Sequence, residues 1–161
     1  MRHKLLSSVV RLMIPAVLLS AAASAASAQR PHLGIRAGYD FQSKNPVVST
    51  QVTVPVTRVF EFYPSMDVYL PDHGTMMGFN GDLKVNLPTT SGPQLYLGGG
   101  LGIQTRNVNQ RSNTDLGGNA LLGLESRSGW VHPFVEARAF VSDRNRFSAL
   151  AGLNFTLGGT R

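Results

Sequence analysis

Apolar and polar residues alternate along most of this chain with a period of two. In the first such stretch, Leu33, Ile35 and Ala37 are separated by Gly34 and Arg36. Successive side chains of a β-strand point to opposite faces, so each stretch predicts a strand with one apolar and one polar face. Eight stretches follow one another, at 33–41, 48–56, 60–70, 77–87, 95–104, 116–125, 131–141 and 147–157.

The charged residues of these stretches all fall on the polar face. The nine residues are Arg36, Asp40, Glu61, Asp67, Asp82, Lys84, Glu125, Glu136 and Arg138. The same face is rich in glycine, as at Gly98, Gly100 and Gly102. Small residues suit the cramped interior of a narrow barrel and weaken a solvent-facing sheet. We therefore expect the polar face to point inward and the apolar face to point outward.

Composition favours a membrane environment for this barrel. Charged residues make up 15% of the 161 residues, against about 25% in ordinary soluble domains. Each stretch has about 9 to 12 residues, the length that a tilted strand needs to cross a bilayer. The sequence thus predicts an all-β fold, an eight-stranded antiparallel up-and-down transmembrane β-barrel, whose closure leaves no unpaired edge.

The first 28 residues have the pattern of a secretory signal peptide. A start with three basic residues precedes an apolar run over 12–23 and a small-x-small motif at 26–28. We expect cleavage there, with 29–161 forming the barrel domain; a retained membrane anchor is the alternative. Cleavage removes three of the 15 basic residues and none of the nine acidic ones, so the net charge falls from +6 to +3.

The signal-like segment, the eight amphipathic stretches and the closing stretch from Phe147 to Leu157 together resemble the small eight-stranded outer-membrane barrels of the OmpA/OmpX-like family. The resemblance implies a monomeric protein of the cell outer membrane that contacts lipid and lipopolysaccharide and is inserted by the barrel-assembly machinery. In this family the closing strand carries an assembly signal that ends in an aromatic residue. Leu153, Phe155 and Leu157 take those places, although this chain continues to Arg161.

The inward charges suggest a function for the lumen. An unpaired buried charge is costly, so we expect the nine residues to pair and fill the barrel, which leaves a structural or surface-interaction role. A narrow cation-preferring channel is an alternative, because six of the nine are acidic. A soluble secreted or periplasmic ligand-binding barrel is another, in which the apolar face would point inward.

The loops at the outer end are expected to carry basic residues. Five candidates for contact with lipopolysaccharide phosphates are Lys44, Arg106, Arg111, Arg144 and Arg146. The longest loop is predicted at 106–115. Within the strands, Pro64 and Pro133 each remove a ladder donor, and we expect a local bulge at both.

Catalytic and cofactor chemistry find little support in the sequence. Without cysteine there is neither a disulfide nor a thiolate metal site. His32, His73 and His132 are scattered, and no serine stands two residues after His132 to form a hydrolase pair. The basic residues that follow the signal segment form no run that would indicate nucleic-acid binding. The sequence predicts no enzyme, no cofactor and no metal.

Overall fold

Eight antiparallel strands make up the fold. The computed structural model describes residues 30–71, 74–108 and 111–158, so the predicted signal peptide lies outside the described residues. The strands are β1 His32–Asp40, β2 Asn45–Pro55, β3 Phe60–Tyr69, β4 Thr75–Asn86, β5 Gln94–Val108, β6 Arg111–Glu125, β7 Val131–Val141 and β8 Arg146–Thr156. In the described ranges, no helix is long and apolar enough to cross a membrane.

The strands close into a barrel in chain order. Each strand pairs with its neighbours in the sequence, and β8 returns to pair with β1, where Leu33 lies opposite Phe155. The closure continues beyond the strand ends, because the Leu157 amide donates to the Pro31 carbonyl at 2.8 Å. The predicted eight-stranded antiparallel up-and-down barrel is confirmed.

The two faces of this wall have opposite character. Large apolar side chains on the outward face stay exposed, among them Leu101 at 67% and Phe79 at 55%. Inward positions between them are buried, as with Asn80 and Asp82 on β4. The burial pattern alternates along the strands in the way that the sequence predicts.

The loop predicted at 106–115 is instead mostly a β-ladder. Strands β5 and β6 have 15 residues each, and their pairing runs from Gln104 opposite Asp115 to Val108 opposite Arg111. The prediction was wrong because it relied on apolar alternation, whereas the backbone hydrogen bonds of a ladder do not require apolar side chains. The hydroxyls of Thr105 and Thr114 lie 3.2 Å apart across this extension and add a cross-strand contact.

Neither proline within the strands causes a bulge. Pairing of β2 with β3 is interrupted near Pro64 between the pairs Gln51–Ser65 and Val54–Phe62, yet it resumes in the same register. Pro133 keeps its place opposite Leu153, and its carbonyl accepts the Ser126 amide at 2.8 Å. The expectation of bulges was therefore wrong, because a missing donor can be left unpaired without inserting a residue.

A side chain substitutes for the backbone donor that Pro133 lacks. In an antiparallel ladder, the position opposite Ser126 would normally return an N–H bond to the Ser126 carbonyl. The neighbouring His132 lies with its Nδ1 3.0 Å from that carbonyl oxygen. The imidazole thus satisfies the acceptor, and the ladder keeps its register.

Candidate functional site

All nine charged residues predicted on the polar face are buried inside the barrel. The exposed fractions of Arg36, Asp40, Glu61, Asp67, Asp82, Lys84, Glu125, Glu136 and Arg138 are 5% or less. Strand alternation positions them, since each strand contributes every second residue to the lumen. The lumen is therefore the candidate functional site.

A central group joins five of these residues around two arginines. Arg36 bonds Asp67 through Nη2 and Glu136 through Nη1, both at 2.9 Å. Arg138 lies 2.8 Å from Asp82 and 3.2 Å from Glu136. Glu136 is shared by both guanidinium groups, so the five residues form one continuous chain of charge across the lumen.

A second group surrounds Lys84 nearer to the chain termini. Its Nζ lies 3.2 Å from Glu125 and 3.5 Å from Glu61. The same ammonium lies 4.1 Å from the ring centroid of Tyr96 and 4.6 Å from that of Tyr63, so two aromatic faces add cation–π attraction.

Tyrosine hydroxyls connect the two groups. Tyr96 donates from its hydroxyl to Glu136 Oε2 at 3.0 Å, and Arg36 donates to the Tyr63 hydroxyl at 3.1 Å. Both tyrosines are fully buried. The Lys84 group and the central group consequently form one network, which extends from near the chain termini to the middle of the lumen.

Buried amides extend the network, although none of them was among the predicted site residues. Asn119 donates to Asp82 and Asn80 to Asp67, each at 2.8 Å. Asn154 donates to Glu125 at 2.9 Å. Their signal was available in the sequence, since all three alternate in step with the inward charges.

Asp40 stands apart from the other eight, near the end opposite the chain termini. It accepts hydrogen bonds from the Ser43 amide at 2.7 Å, the Ser43 hydroxyl at 2.6 Å and the Ser148 hydroxyl at 3.0 Å. These contacts fix the turn between β1 and β2 to the first residues of β8. No ion pair of Asp40 is found among the described residues, which differs from the expectation that every lumen charge pairs.

Arg146 does not belong to the exposed loop where the sequence analysis predicted it. It is the first residue of β8, is 8% exposed and points inward. Its guanidinium donates to the Met76 sulfur at 2.9 Å and lies 5.6 Å from the ring centroid of Tyr69. The error arose because the strand begins earlier than its first apolar residue, which places Arg146 on the inward face.

The other four basic residues predicted for the outer loops lie in different kinds of position. Lys44 and Arg144 are exposed in the turns that follow β1 and β7. Arg106 is exposed too, but it lies on the extended part of β5. Arg111 lies within β6, and its side chain is outside the described set.

Inward glycines show how tightly the lumen is filled. A Cβ added at Gly100 would lie 2.6 Å from the Cα of Asp82, and one at Gly152 would lie 2.7 Å from the Cβ of Arg36. A Cβ at Gly98 would lie 2.8 Å from Leu121 Cδ1. All three distances are shorter than real Cβ contacts, and each is to the residue directly opposite on the paired strand, so adjacent strands leave no room for an inward side chain at these positions.

The two larger of the apolar grooves described on the outward wall have volumes of about 580 and 570 Å³. One is lined by residues of β2 to β6, including Phe62, Phe79 and Leu101. The other has a floor of small residues that includes Ala137 and Ala151. Both have the chemistry of a surface that contacts hydrocarbon.

The residues predicted as an assembly signal lie on the closing strand and just after it. Leu153 and Leu157 are exposed on the outside at 38% and 42%. Phe155 lies between them, and its ring is 5.8 Å from that of Trp130. Trp130, which was not among the predicted site residues, is the only tryptophan of the chain and is 68% exposed.

The described histidines occupy the mouth of the barrel near the chain termini. His32 and His132 stack with ring centroids 4.9 Å apart, and His132 also lies 3.0 Å from the Thr156 hydroxyl. His73 lies outside the described residues. No group of three or more His, Cys, Asp or Glu among the residues described could hold a metal ion.

Comparison with known proteins identifies the fold. No family model matches the sequence, and no curated protein matches it. The N-terminal β-barrel domain of Pseudomonas aeruginosa OprF is 16% identical, with a TM-score of 0.67 over 81% of this chain and 100% of that one. Neisserial surface protein A is 12% identical, with a TM-score of 0.61 over 79% and 96%.

A third solved structure extends the likeness. Ail, the attachment invasion locus protein of Yersinia pestis, is 8% identical, with a TM-score of 0.59 over 81% of this chain and 100% of that one. At these identities the likeness concerns the fold, and it spans the whole described barrel. The chain has the fold of the small eight-stranded outer-membrane β-barrels, which is the fold that the sequence resemblance implies.

Proposed function

We propose that this chain is an integral outer-membrane protein whose barrel is closed to solutes by its polar core and whose role is structural or in surface interaction. The observation that carries the proposal is the reversal of the two faces. Large apolar side chains such as Leu101, Leu116 and Phe79 are exposed all around a wall whose nine predicted inward charges are buried. Water does not favour such an exterior, whereas a bilayer does.

Tight packing supports a closed lumen. Guanidinium and ammonium groups at Arg36, Arg138 and Lys84 contact carboxylates on strands that are not their hydrogen-bonded neighbours. At several inward glycines, among them Gly98 and Gly100, an added methyl group would overlap the adjacent strand. An ion crossing this region would have to displace several charge-assisted hydrogen bonds at once. The role we propose is therefore not transport, and it requires neither a cofactor nor a catalytic group.

The exposed end opposite the termini is the surface we propose for contact outside the cell. Lys44, Arg106 and Arg144 offer donors for lipopolysaccharide phosphates. The names of two similar structures, a surface protein and an attachment and invasion protein, are compatible with a role of this kind. We further propose that the protein is a monomer inserted by the barrel-assembly machinery.

Cell fractionation tests the location. We expect the protein in the outer-membrane fraction, with a mature chain that begins at Gln29 by mass spectrometry. In detergent the folded barrel should migrate differently on a gel before and after boiling. Recovery as a soluble monomer without detergent would contradict the membrane proposal and support the soluble ligand-binding alternative.

The second candidate function is a narrow cation-preferring channel. It is favoured by the charge of the lumen, where six buried carboxylates face four buried cations once Arg146 is included. Planar-bilayer recording separates the two proposals. We expect no steady conductance from the folded barrel. Steady cation-selective conductance steps would contradict the closed lumen and support the channel.

A further inference from the structure

The end of the barrel that holds the chain termini has an unusual charge distribution. This termini rim consists of 30–31, 157–158 and the turns at 56–59, 87–93 and 126–130. Its exposed charged residues are Arg30, Arg58 and Arg127. The nearest carboxylates, Glu61 and Glu125, are buried at 5% and 3% exposure. Among the described residues, the solvent-facing part of this rim is therefore entirely basic.

The three arginines are spread around the rim. Arg30 donates to the Gly158 carbonyl at 2.8 Å, where β1 meets β8. Arg58 lies in the turn between β2 and β3. Arg127 lies between β6 and β7, and its side chain remains 40% exposed although one nitrogen lies 3.3 Å from Glu61. With Lys84, Glu61 and Glu125 counted as well, this end still carries a net charge of +2.

An aromatic and apolar belt lies directly beside these arginines. Trp130 is 68% exposed and contacts Phe155 on the outer wall. Val59 and Phe60, next to Arg58 in the chain, are 43% and 46% exposed. Exposed aromatic residues of this kind mark the headgroup level of a membrane protein. The guanidinium groups consequently lie where lipid phosphates would be found.

The opposite end of the barrel differs. There the exposed Lys44, Arg106 and Arg144 are mixed with carboxylates, since Asp143 is exposed and Asp115 is partly exposed. Acidic residues within the same surface weaken its attraction for anions. Both ends carry exposed aromatic residues, which at the opposite end are Tyr39, Phe41 and Phe147. Of the two ends, the termini rim is the one whose described solvent-facing surface has no acidic residue.

We propose that the termini rim binds the phosphate headgroups of anionic phospholipids in the leaflet next to it. Arginine presents paired N–H donors that match phosphate oxygens, and the belt contacts the acyl chains attached to the same headgroup. An anionic phospholipid can contact both the arginines and the apolar belt, whereas a free phosphate can contact only the arginines. The inference rests on the proposed membrane function, and it assigns the lipid chemistry at one end of the barrel.

The single tryptophan provides a local probe, because Trp130 lies on this rim. The full chain is refolded into phosphatidylcholine vesicles that contain equal mole fractions of either brominated phosphatidylglycerol or brominated phosphatidylcholine. We expect the brominated phosphatidylglycerol to quench Trp130 more strongly. The corresponding preference should be roughly fivefold, as follows from about 1 kcal/mol for a basic residue near an anionic surface. It should fall at high salt.

Substitutions of single arginines test which residues give the preference for phosphatidylglycerol. Arg58→Gln should reduce the preference for phosphatidylglycerol, and Arg58→Gln combined with Arg127→Gln should reduce it further, since Arg30 alone then remains on the rim. Arg144→Gln, on the opposite rim, is the matched control and should leave the preference unchanged. Gel mobility before and after boiling checks that every variant is folded.

The outcomes are distinguishable. Equal quenching by the two brominated lipids would overturn this inference while leaving the membrane proposal intact. Quenching by neither lipid would contradict the membrane proposal itself, and this inference with it. Loss of the preference on adding inorganic phosphate, but not chloride of the same ionic strength, would mean a free-anion site and would also overturn the lipid assignment.

Discussion

Glycines on the two faces of the wall occupy different surroundings. At Gly100, on the inward face, an added Cβ would overlap the backbone of β4, with Asp82 Cα 2.6 Å away. At Gly81 and Gly118, on the outward face, the nearest atom to such a Cβ is 3.9 Å away. The paired strand thus leaves no room for a side chain at Gly100, whereas the wall at Gly81 and Gly118 is free to take one. Glycine at position 100 is thus required by the close approach of the paired strands β4 and β5.

The same contrast holds for charge. Inside, charged groups such as Arg36 and Glu136 are buried and bonded to one another. Outside, Leu83 and Leu101 are exposed at 52% and 67%. A soluble protein has the opposite arrangement, with apolar residues within and charges without. Here the interior has the close packing of a core, but hydrogen bonds and ion pairs provide its cohesion.

Removing one inward charge should have the largest effect. Arg36→Ala would leave Asp67 and Glu136 without their 2.9 Å partner, and breaking a buried pair in this way costs about 3–5 kcal/mol. The free energy of unfolding, from urea titration of the barrel in lipid vesicles, measures the loss. Arg144→Ala is the exposed control and should stay within about 0.5 kcal/mol. Equal losses would contradict a paired lumen.

Adding an outward charge should be the next most costly change. Leu101→Arg would place a guanidinium on the outer wall in the middle of β5, at a cost of about 2–4 kcal/mol if the residue faces the bilayer centre. Thr105→Arg lies on the same face four residues nearer the rim, where the cost falls to about 0–1 kcal/mol. Both are read from unfolding in vesicles. A loss that does not depend on depth would argue against this placement in the membrane.

Removing one buried hydroxyl tests the connection between the two lumen groups. Tyr96→Phe deletes the donor to Glu136, and a hydrogen bond to a charged group is worth about 1.5–3 kcal/mol. Tyr39→Phe, on the outward face, is the control and should be nearly neutral. If both substitutions have the same small effect on unfolding, the connection contributes little to stability.

The pair of glycines gives the most direct comparison and the smallest expected effects. Gly100→Ala should destabilise the barrel by about 1–3 kcal/mol, because the methyl group would force β4 and β5 apart. Gly118→Ala should instead be neutral or stabilising by up to about 1 kcal/mol, since alanine restricts the unfolded chain. Opposite signs in the same unfolding assay are expected. A tolerated alanine at Gly100 would mean that the lumen has spare room.

The fold and the inward or outward direction of each side chain were predictable from the sequence, because both depend on local alternation of apolar and polar residues. Each strand's inward set, such as Glu61, Tyr63 and Asp67 on β3, follows from counting in steps of two along the chain. The bounds were less accurate where alternation stops before the ladder does. The ladder over Thr105–Val108 and Arg111–Asp115 and the start of β8 at Arg146 show this, since the backbone continues to pair where apolar and polar residues no longer alternate.

The partners within the lumen could not be predicted from the same pattern. Arg36 and Glu136 are 100 residues apart, and their contact depends on the register of strands that are not neighbours in the chain. Likewise, alternation places Asp40 inward but does not indicate that Ser43 and Ser148 would bond it instead of a cation. A side-chain contact across the lumen depends on the register of every pair of adjacent strands that lies between the two residues. Predicting such a contact therefore requires all of these registers.

The contact between the first and last strands has a consequence for how the barrel forms. His32 pairs with Thr156, so the final ladder joins residues separated by nearly the whole described chain. Until that ladder forms, one edge of β1 and one edge of β8 present unpaired N–H and C=O groups, which hydrocarbon cannot satisfy. Contacts of such long sequence separation also make folding slow. Insertion should therefore be rate-limited by ring closure, with no stable half-barrel along the way.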